Sequence, residues 1–322
     1  MKNFVPFEPL QVEIGLSMVP FFNGEKESIS DDVQFLRHQF AERFGFILPS
    51  IRVVDNPLLT PSSSYEIKIN ELSVAKETVH IDHFLAIQTP YTLDSIEGIH
   101  TSIQFLTNDA FWIKENQQQE AIDKKYEVMS PKTIFMTHLT HVLEHHMHEL
   151  VTRQSIADLL EETEQHSPAI VFELEQANIS MSVIQHVITS LLKERISIRN
   201  IPFILEMILT SHDSASDTDE LLYQVRKALI PTLLEQAKHQ EGVWHYVDVE
   251  HQLSGEDFLS FVTETLSCAE ALGVQPIFLL NDGETQSNLF NFLHQRQIYA
   301  IVVERSHLPF NAPLQKIEIF AK

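Results

Sequence analysis

The chain is expected to be a multidomain α+β protein: an α/β first subdomain, a small α+β module, a helical third subdomain and an α/β C-terminal subdomain. Three observations carry this expectation. Up to about residue 130, short alternating apolar runs are interleaved with one amphipathic helical stretch. From there to about residue 237 the apolar spacing is helical without interruption. Alternation with a period of two then returns to the end. The 322 residues are enough for two or more domains with a substantial core.

The elements follow in order. "PLQVEIGLSMVPFF" (9–22) reads as strand. "SISDDVQFLRHQFAERFGF" (28–46) reads as a helix that Ser28 or Ser30 can cap, with Val33, Leu36 and Phe40 on one face and Gly45 at its end. "ILPSIRVVD" returns as strand, and "YEIKINELSVAKETV" (65–79) alternates like a hairpin that turns at Asn70-Glu71. Between 82 and 130, "FLAIQT", "HTSIQFL" and "YEVM" read as strands and "ENQQQEAIDKK" as a short polar helix. Ser130-Pro131 then opens a long helix, with serine as N-cap and proline at the first helical position. Further helices follow at "SIADLLEETEQ", "SPAIVFELEQA", "SMSVIQHVITSLLKERI", "IPFILEMIL" and "TDELLYQVRKALIPTLLEQA", with "TSHDSASDTD" (210–219) as the most loop-like stretch. After the polar joint "KHQEG", strands are expected at "VWHYVDV", "QPIFLLND", "IYAIVVE" and "LQKIEIF", and helices at "GEDFLSFVTETLSCAEALG" and "ETQSNLFNFLHQRQ".

The totals exclude several function classes. A formal charge of −23 opposes binding to nucleic acid or to anionic lipid, both of which require a basic surface. Cys268 is the single cysteine, so no disulfide closes within the chain and a reducing compartment fits. The first fifteen residues lack the apolar core of a secretory signal, and no apolar run is long enough to span a bilayer. The glycine-rich strings that cradle nucleotides are absent, and no cofactor is implied.

"HLTHVLEHHMHEL" (138–150) holds five histidines in thirteen residues. On a helical wheel His138, His141, His145 and His148 gather opposite Phe135, Leu139, Val142, Leu143 and Leu150, so the histidines are expected to face solvent, a neighbouring domain or a partner. The stretch also contains His141-x-x-Glu144-His145. In a zinc peptidase this spacing places two imidazoles one turn apart on the metal, with the glutamate as general base and a downstream acid such as Glu220 as third ligand. Five-residue matches arise by chance in a chain with 17 histidines, and Glu144 also reads as a surface helix charge. A solvated or interface face without native metal is therefore the favoured reading, and the zinc peptidase is the alternative. Protonation of such a stripe in mild acid would loosen any contact it makes with a neighbour. Cys268 reads as a packed side chain in an amphipathic helix, and no acidic pair is gathered for acid–base work. Phe111 and Trp112, in "TNDAFWIKE", are candidates for binding or for the core of the small module.

Taken together, "EPLQVEIGLSMVPFF", "FLRHQFAERFGFILPSIRVVDN", "YEIKINELSVAKETVHIDHFLAI", "THLTHVLEHHMHELVTRQSIADLL" and "LLKERISIRNIPFILEMI" resemble, in this order, the cytosolic region of the type III secretion export gate family, FlhA in flagella and SctV in injectisomes. The similarity runs from about residue 8 to 230 and more loosely to the end. "LLKERISIRNIPFILE" (191–206), followed by "DELLYQVRKAL", is its most specific part. The resemblance implies four subdomains: a discontinuous α/β first one at 1–81 and 131–150, an inserted second at 82–130, a helical third at 151–235 and an α/β fourth at 236–322. It further implies a non-enzymatic docking platform at the cytoplasmic face of the bacterial inner membrane, with a membrane portion N-terminal to this region that this chain lacks. The expected partners are further copies of the chain in a nonameric ring, export chaperone–substrate complexes and the ATPase stalk protein. Chaperones of flagellar relatives dock in a dimple formed by an Asp-Pro-Ala-Phe string and a Thr before His-Leu. Here Asn108-Asp109-Ala110-Phe111 and Thr137-His138-Leu139 match, so Phe111 is the implied apolar anchor and Asp109 and Thr137 the polar contacts. The acidic residue is shifted by one, a glycine-containing stretch before Trp112 is missing, and Thr152 stands where the family has the Gly of Gly-Arg-Gln. The "THL" and "TRQ" strings lean to the flagellar branch, whereas "SIRNI" is at home in either.

Overall fold

The computed structural model describes residues 7–22, 29–103, 106, 108–236, 243–249, 256–272, 274, 276–280, 289, 293, 300–308 and 312–317. Its contacts divide the chain into two units, Met1–Leu150 and Val151–Lys322.

In the first unit, alternation sets the first sheet. β1 (Leu10–Ile14) buries Leu10, Val12 and Ile14 on one face. It pairs in parallel with β2 (Arg52–Asp55) and antiparallel with β3 (Ser64–Ile69), which pairs with β4 (Leu72–Thr78), giving the order β2-β1-β3-β4. The hairpin turns at Asn70 and Glu71, whose φ angles of 50° and 67° suit a two-residue turn matched to strand twist. The expected strand over 9–22 ends early. Gly15 leaves the ladder, and residues Leu16–Met18 and α1 (Val19–Phe22) are helical. A Cβ on Gly15 would lie 2.2 Å from the Ser62 carbonyl oxygen, so the chain turns there against the 56–62 loop.

The parallel β1–β2 pair requires a crossover, and α2 (Ile29–Phe44) lies within it. Leu36 and Phe40 are buried and Val33 is half-buried, as the shared face requires. Gly45, at φ 72°, ends the helix and donates its N–H to the Ala41 carbonyl. The expected cap at Ser28 lies outside the described residues, as does the side chain of Ser30.

The second sheet has the order β6-β7-β5-β8, all antiparallel, from β5 (His83–Ile87), β6 (Ile99–Thr101), β7 (Ala110–Lys114) and β8 (Glu127–Met129). Its second strand, β7, was not legible as a strand in the sequence. The polar neighbours of "AFWIK" masked a segment in which Ala110, Trp112 and Ile113 are buried. A helical turn at Glu115–Gln117 and α3 (Gln118–Asp123) follow β7. α4 (Pro131–His146) then begins as expected, with Ser130 Oγ accepting from Thr133 N–H at 3.1 Å.

The second unit opens with α5 (Arg153–His166), α6 (Pro168–Gln176), α7 (Met181–Lys193), α8 (Ile201–His212) and α9 (Thr218–Gln236). Ile184, Val187, Ile188, Leu191 and Leu192 of α7 are buried, as their spacing requires. Thr152 is the N-cap of α5, its hydroxyl accepting from Ser155 N–H at 3.1 Å. A parallel sheet of order β11-β10-β9-β12 comprises β9 (Trp244–Asp248), β10 (Pro276–Leu280), β11 (Ile301–Glu304) and β12 (Leu314–Lys316). Every residue of β10 is buried because helices cover both faces. Ile277 and Leu279 meet Ile230 and Leu234 of α9. Phe278 and Leu280 meet Phe258, Val262 and Ala269 of α10 (Glu256–Leu272). The helix expected over 284–297 lies outside the described residues, apart from Leu289 and Leu293, which are buried in the same cluster as Phe278. The molecule is thus a mixed α/β protein.

Candidate docking surface

α2 and α4 frame a groove in the first unit. Asp32 Oδ2 meets Lys132 Nζ at 2.7 Å, joining the first turns of the two helices, and Arg43 pairs with Glu144, joining their last turns. The helices therefore run in the same direction, tied at both ends. Between the ties lies a cavity of about 700 Å³ whose walls include Phe35, Leu36, Gln39, Met136, Thr137 and Thr140. Phe35 is 62% exposed beside it. Of the sequence-predicted residues Asp109, Phe111 and Thr137, Thr137 lies on these walls, whereas the sequence gives no signal for Phe35 or the two end pairs. The residues of each pair lie about a hundred positions apart, and no local pattern links them.

Asp109 and Phe111 are not among the residues that line this groove. They sit at the start of β7, where Phe111 faces Ala86 and His100 across the ladder. The Phe111 ring is half-buried, 5.3 Å from the His100 ring and 6.4 Å from Tyr126, at the margin of a cluster formed by Ala86, Ile96, Ile113 and Ala121. Asp109 is exposed and its Oδ1 lies 3.2 Å from His100 Nε2. Trp112 is 1% exposed, its ring 5.4 Å from His80, so it belongs to the core and not to a binding face. Gly98 lets the neighbouring loop approach this strand: a Cβ there would lie 2.8 Å from the Trp112 carbonyl and 3.2 Å from Phe111 Cβ.

The histidine stretch departs from its expected orientation. His138 and His145 are buried, at 4% and 8% exposure, and His141 and His148 are half-buried. Two features of the packing explain this. α4 meets β3 through His138 as well as through Phe135, and it meets α2 through a different side, so more than one face is covered. The α-helix also ends at His146, and residues Met147–Leu150 form a tighter turn, so a wheel drawn at 100° per residue does not reach His148. Tyr65 Oη and His138 Nδ1 share a hydrogen bond of 2.5 Å. Burial lowers the His138 pKa to about 4 and pushes the Tyr65 hydroxyl well above its usual value.

The zinc alternative finds no support in this geometry. Glu144, the residue expected as general base, is engaged by Arg43. Glu220 belongs to the second unit, on α9, where its carboxylate accepts from Gln224 Nε2 at 2.8 Å. Among the described residues no three His, Cys, Asp or Glu side chains are grouped to hold a metal ion. Cys268 is half-buried, with Val262 and Phe278 in the cluster it packs against.

Among the described residues of the first unit, the geometry thus gathers a groove framed by two paired helices, with Phe35 exposed beside it. Comparison with known proteins agrees with the family resemblance of the sequence. Flagellar biosynthesis protein FlhA of Bacillus subtilis is 33% identical over 236 residues, covering 73% of this chain and 35% of that protein. FlhA of Treponema pallidum is 31% identical over 264 residues, covering 81% of this chain and 37% of that protein. The chain spans about a third of the length of these relatives. Among solved structures, Chlamydia pneumoniae CdsV superposes with a TM-score of 0.77 at 16% identity, covering 98% of both chains. CdsV in complex with CdsO gives 0.74 at 17% identity over 99% of both chains, and nonameric EPEC SctV-C gives 0.71 at 17% over 98% of this chain and 99% of that one. These likenesses establish a common fold. A model of the FHIPEP family matches residues 1–304, and with relatives at this identity the chain belongs to the FHIPEP family.

Proposed function

We propose that this chain is the cytosolic docking platform of a flagellar-type protein export gate. The family match over residues 1–304 carries the reading. The curated relatives at 31–33% identity are flagellar biosynthesis proteins, whereas the injectisome structures match at 16–17%, which favours the flagellar branch. No helix among the described residues is long and apolar enough to cross a membrane. On this reading a membrane portion of the full-length protein anchors the platform at the cytoplasmic face of the inner membrane. Residues 1–81 with 131–150, 82–130, 151–235 and 236–322 act as its four subdomains.

The platform works by binding, not by catalysis. Copies of the chain form a ring, in keeping with the nonamer of SctV-C. The ring receives the ATPase stalk protein, in keeping with the CdsV–CdsO complex. Chaperone–substrate complexes dock through Phe111 as apolar anchor, with Asp109 and Thr137 as polar contacts. Burying half of an aromatic ring and satisfying one hydroxyl contributes on the order of 1–3 kcal/mol, enough to change affinity by about tenfold or more. Calorimetric titration with the same organism's flagellar export chaperones, each loaded with cargo, tests this. Phe111→Ala and Thr137→Ala are each expected to weaken binding about tenfold. Unchanged affinity in both variants would refute the site, and no binding to the parent chain would refute the platform.

A further inference from the structure

A second cavity, of about 40 Å³, lies within the second unit between α9 and β11, the edge strand of its sheet. Ile196, Ile230, Leu233 and Val302 form apolar walls, and Glu194, Tyr223, Arg226, Lys227 and His307 are its polar lining. Charge is balanced around it. Arg226 pairs with Glu194, and Glu304 lies against His307 with Lys227 opposite in sign. The site therefore suits a neutral ligand over an ion.

The hydrogen bonds around His307 define what the ligand must offer. The His307 side chain is 7% exposed and that of Glu304 9%. Tyr223 Oη lies 3.2 Å and 3.3 Å from the two Glu304 carboxylate oxygens, which can only accept, so the hydroxyl donates to them. Ser306 Oγ donates to the same carboxylate at 3.3 Å. His307 Nε2 lies 3.3 Å from Tyr223 Oη and 3.5 Å from Glu304. With the tyrosine proton committed to Glu304, Nε2 carries the ring proton and donates. Burial, opposed by Glu304 and aided by Lys227, lowers the pKa of the ring and favours its neutral form. Nδ1 is then a buried lone pair, and among the described residues no protein group donates to it. Buried acceptors of this kind are met by a partner in nearly all proteins.

We propose that this cavity is a binding site for a small neutral ligand that donates a hydroxyl hydrogen bond to His307 Nδ1: water, or the hydroxyl of a short-chain alcohol. The volume is about three times that of a one-water site, so two or three waters or one small alcohol fit, and the apolar walls suit the alkyl part. The inference is independent of the docking surface in the first unit.

The test combines nitrogen NMR of the histidine rings in the whole chain with a crystal structure and a titration with 2-propanol. The expected result at neutral pH is a His307 ring protonated on Nε2, with a water or alcohol oxygen within hydrogen-bond distance of Nδ1. Amide shifts of Ile230 and Ala300 that saturate with 2-propanol, and that His307→Phe abolishes, assign the site to alcohols. An ordered water with no saturable response assigns it to water. A ring protonated on Nδ1, or a protein group from elsewhere in the chain against Nδ1, overturns the proposal. The ring readout uses the parent chain, so it stands even if the variant fails to fold.

Discussion

His138 is the residue whose structural setting departs furthest from its sequence reading. A surface histidine would titrate near 6.5, but burial against Tyr65 brings this one to about 4. The folded chain therefore binds fewer protons at this site than the unfolded chain. Its contribution to stability is complete above about pH 6.5, shrinks as pH falls through the interval, and is lost below about pH 4. The interval of about 2.5 units corresponds to on the order of 3 kcal/mol. Urea unfolding between pH 8 and pH 4 is expected to show this loss, and His138→Gln is expected to flatten the profile. A profile as steep in the variant as in the parent would assign the acid sensitivity to other groups. The other proton-sensitive rings follow the same sign: burial, with help from neighbouring His83, also lowers the pKa of His80.

At the scale of elements, local signals and packing agree most closely where the signal satisfies backbone groups. Ser130-Pro131 starts α4 because the hydroxyl accepts a free N–H and proline has none to leave unpaired. Ser130→Ala is expected to lower stability by about 1 kcal/mol, read as a shift of the urea midpoint with unchanged slope. An unchanged midpoint would mean that the Thr133 hydroxyl, 2.8 Å from Ser130, takes over the cap. The Asn70-Glu71 hairpin, the Gly45 stop and the buried stripe of α7 were legible for the same reason, since each is a local pattern with a local cause. β7 was not, because its pairing with β5 and β6 is worth more than the polarity of its flanks. The histidine face was misread because a wheel ranks positions around one helix but does not say how many sides are covered.

At the scale of the whole molecule, net charge bears on the proposed ring. Copies carrying −23 each repel one another over a Debye length of about 30 Å in dilute buffer and about 8 Å at physiological ionic strength. Self-association of the proposed ring is therefore expected to strengthen as salt rises from about 10 mM to 150 mM. Sedimentation velocity should show a growing heavy species over that range; dissociation with added salt would point instead to an interface held by ion pairs. From sequence alone come the mixed α/β class and most elements, because hydrophobic period, caps and turns act within a few residues of one another; the family comes from the resemblance of whole segments in order. The end pairs Asp32–Lys132 and Arg43–Glu144, the burial of His138 and the cavity at His307 come only from tertiary packing. Each depends on groups far apart in the chain, and burial then alters the cost of charge and of an unmet hydrogen bond, which no local spacing records.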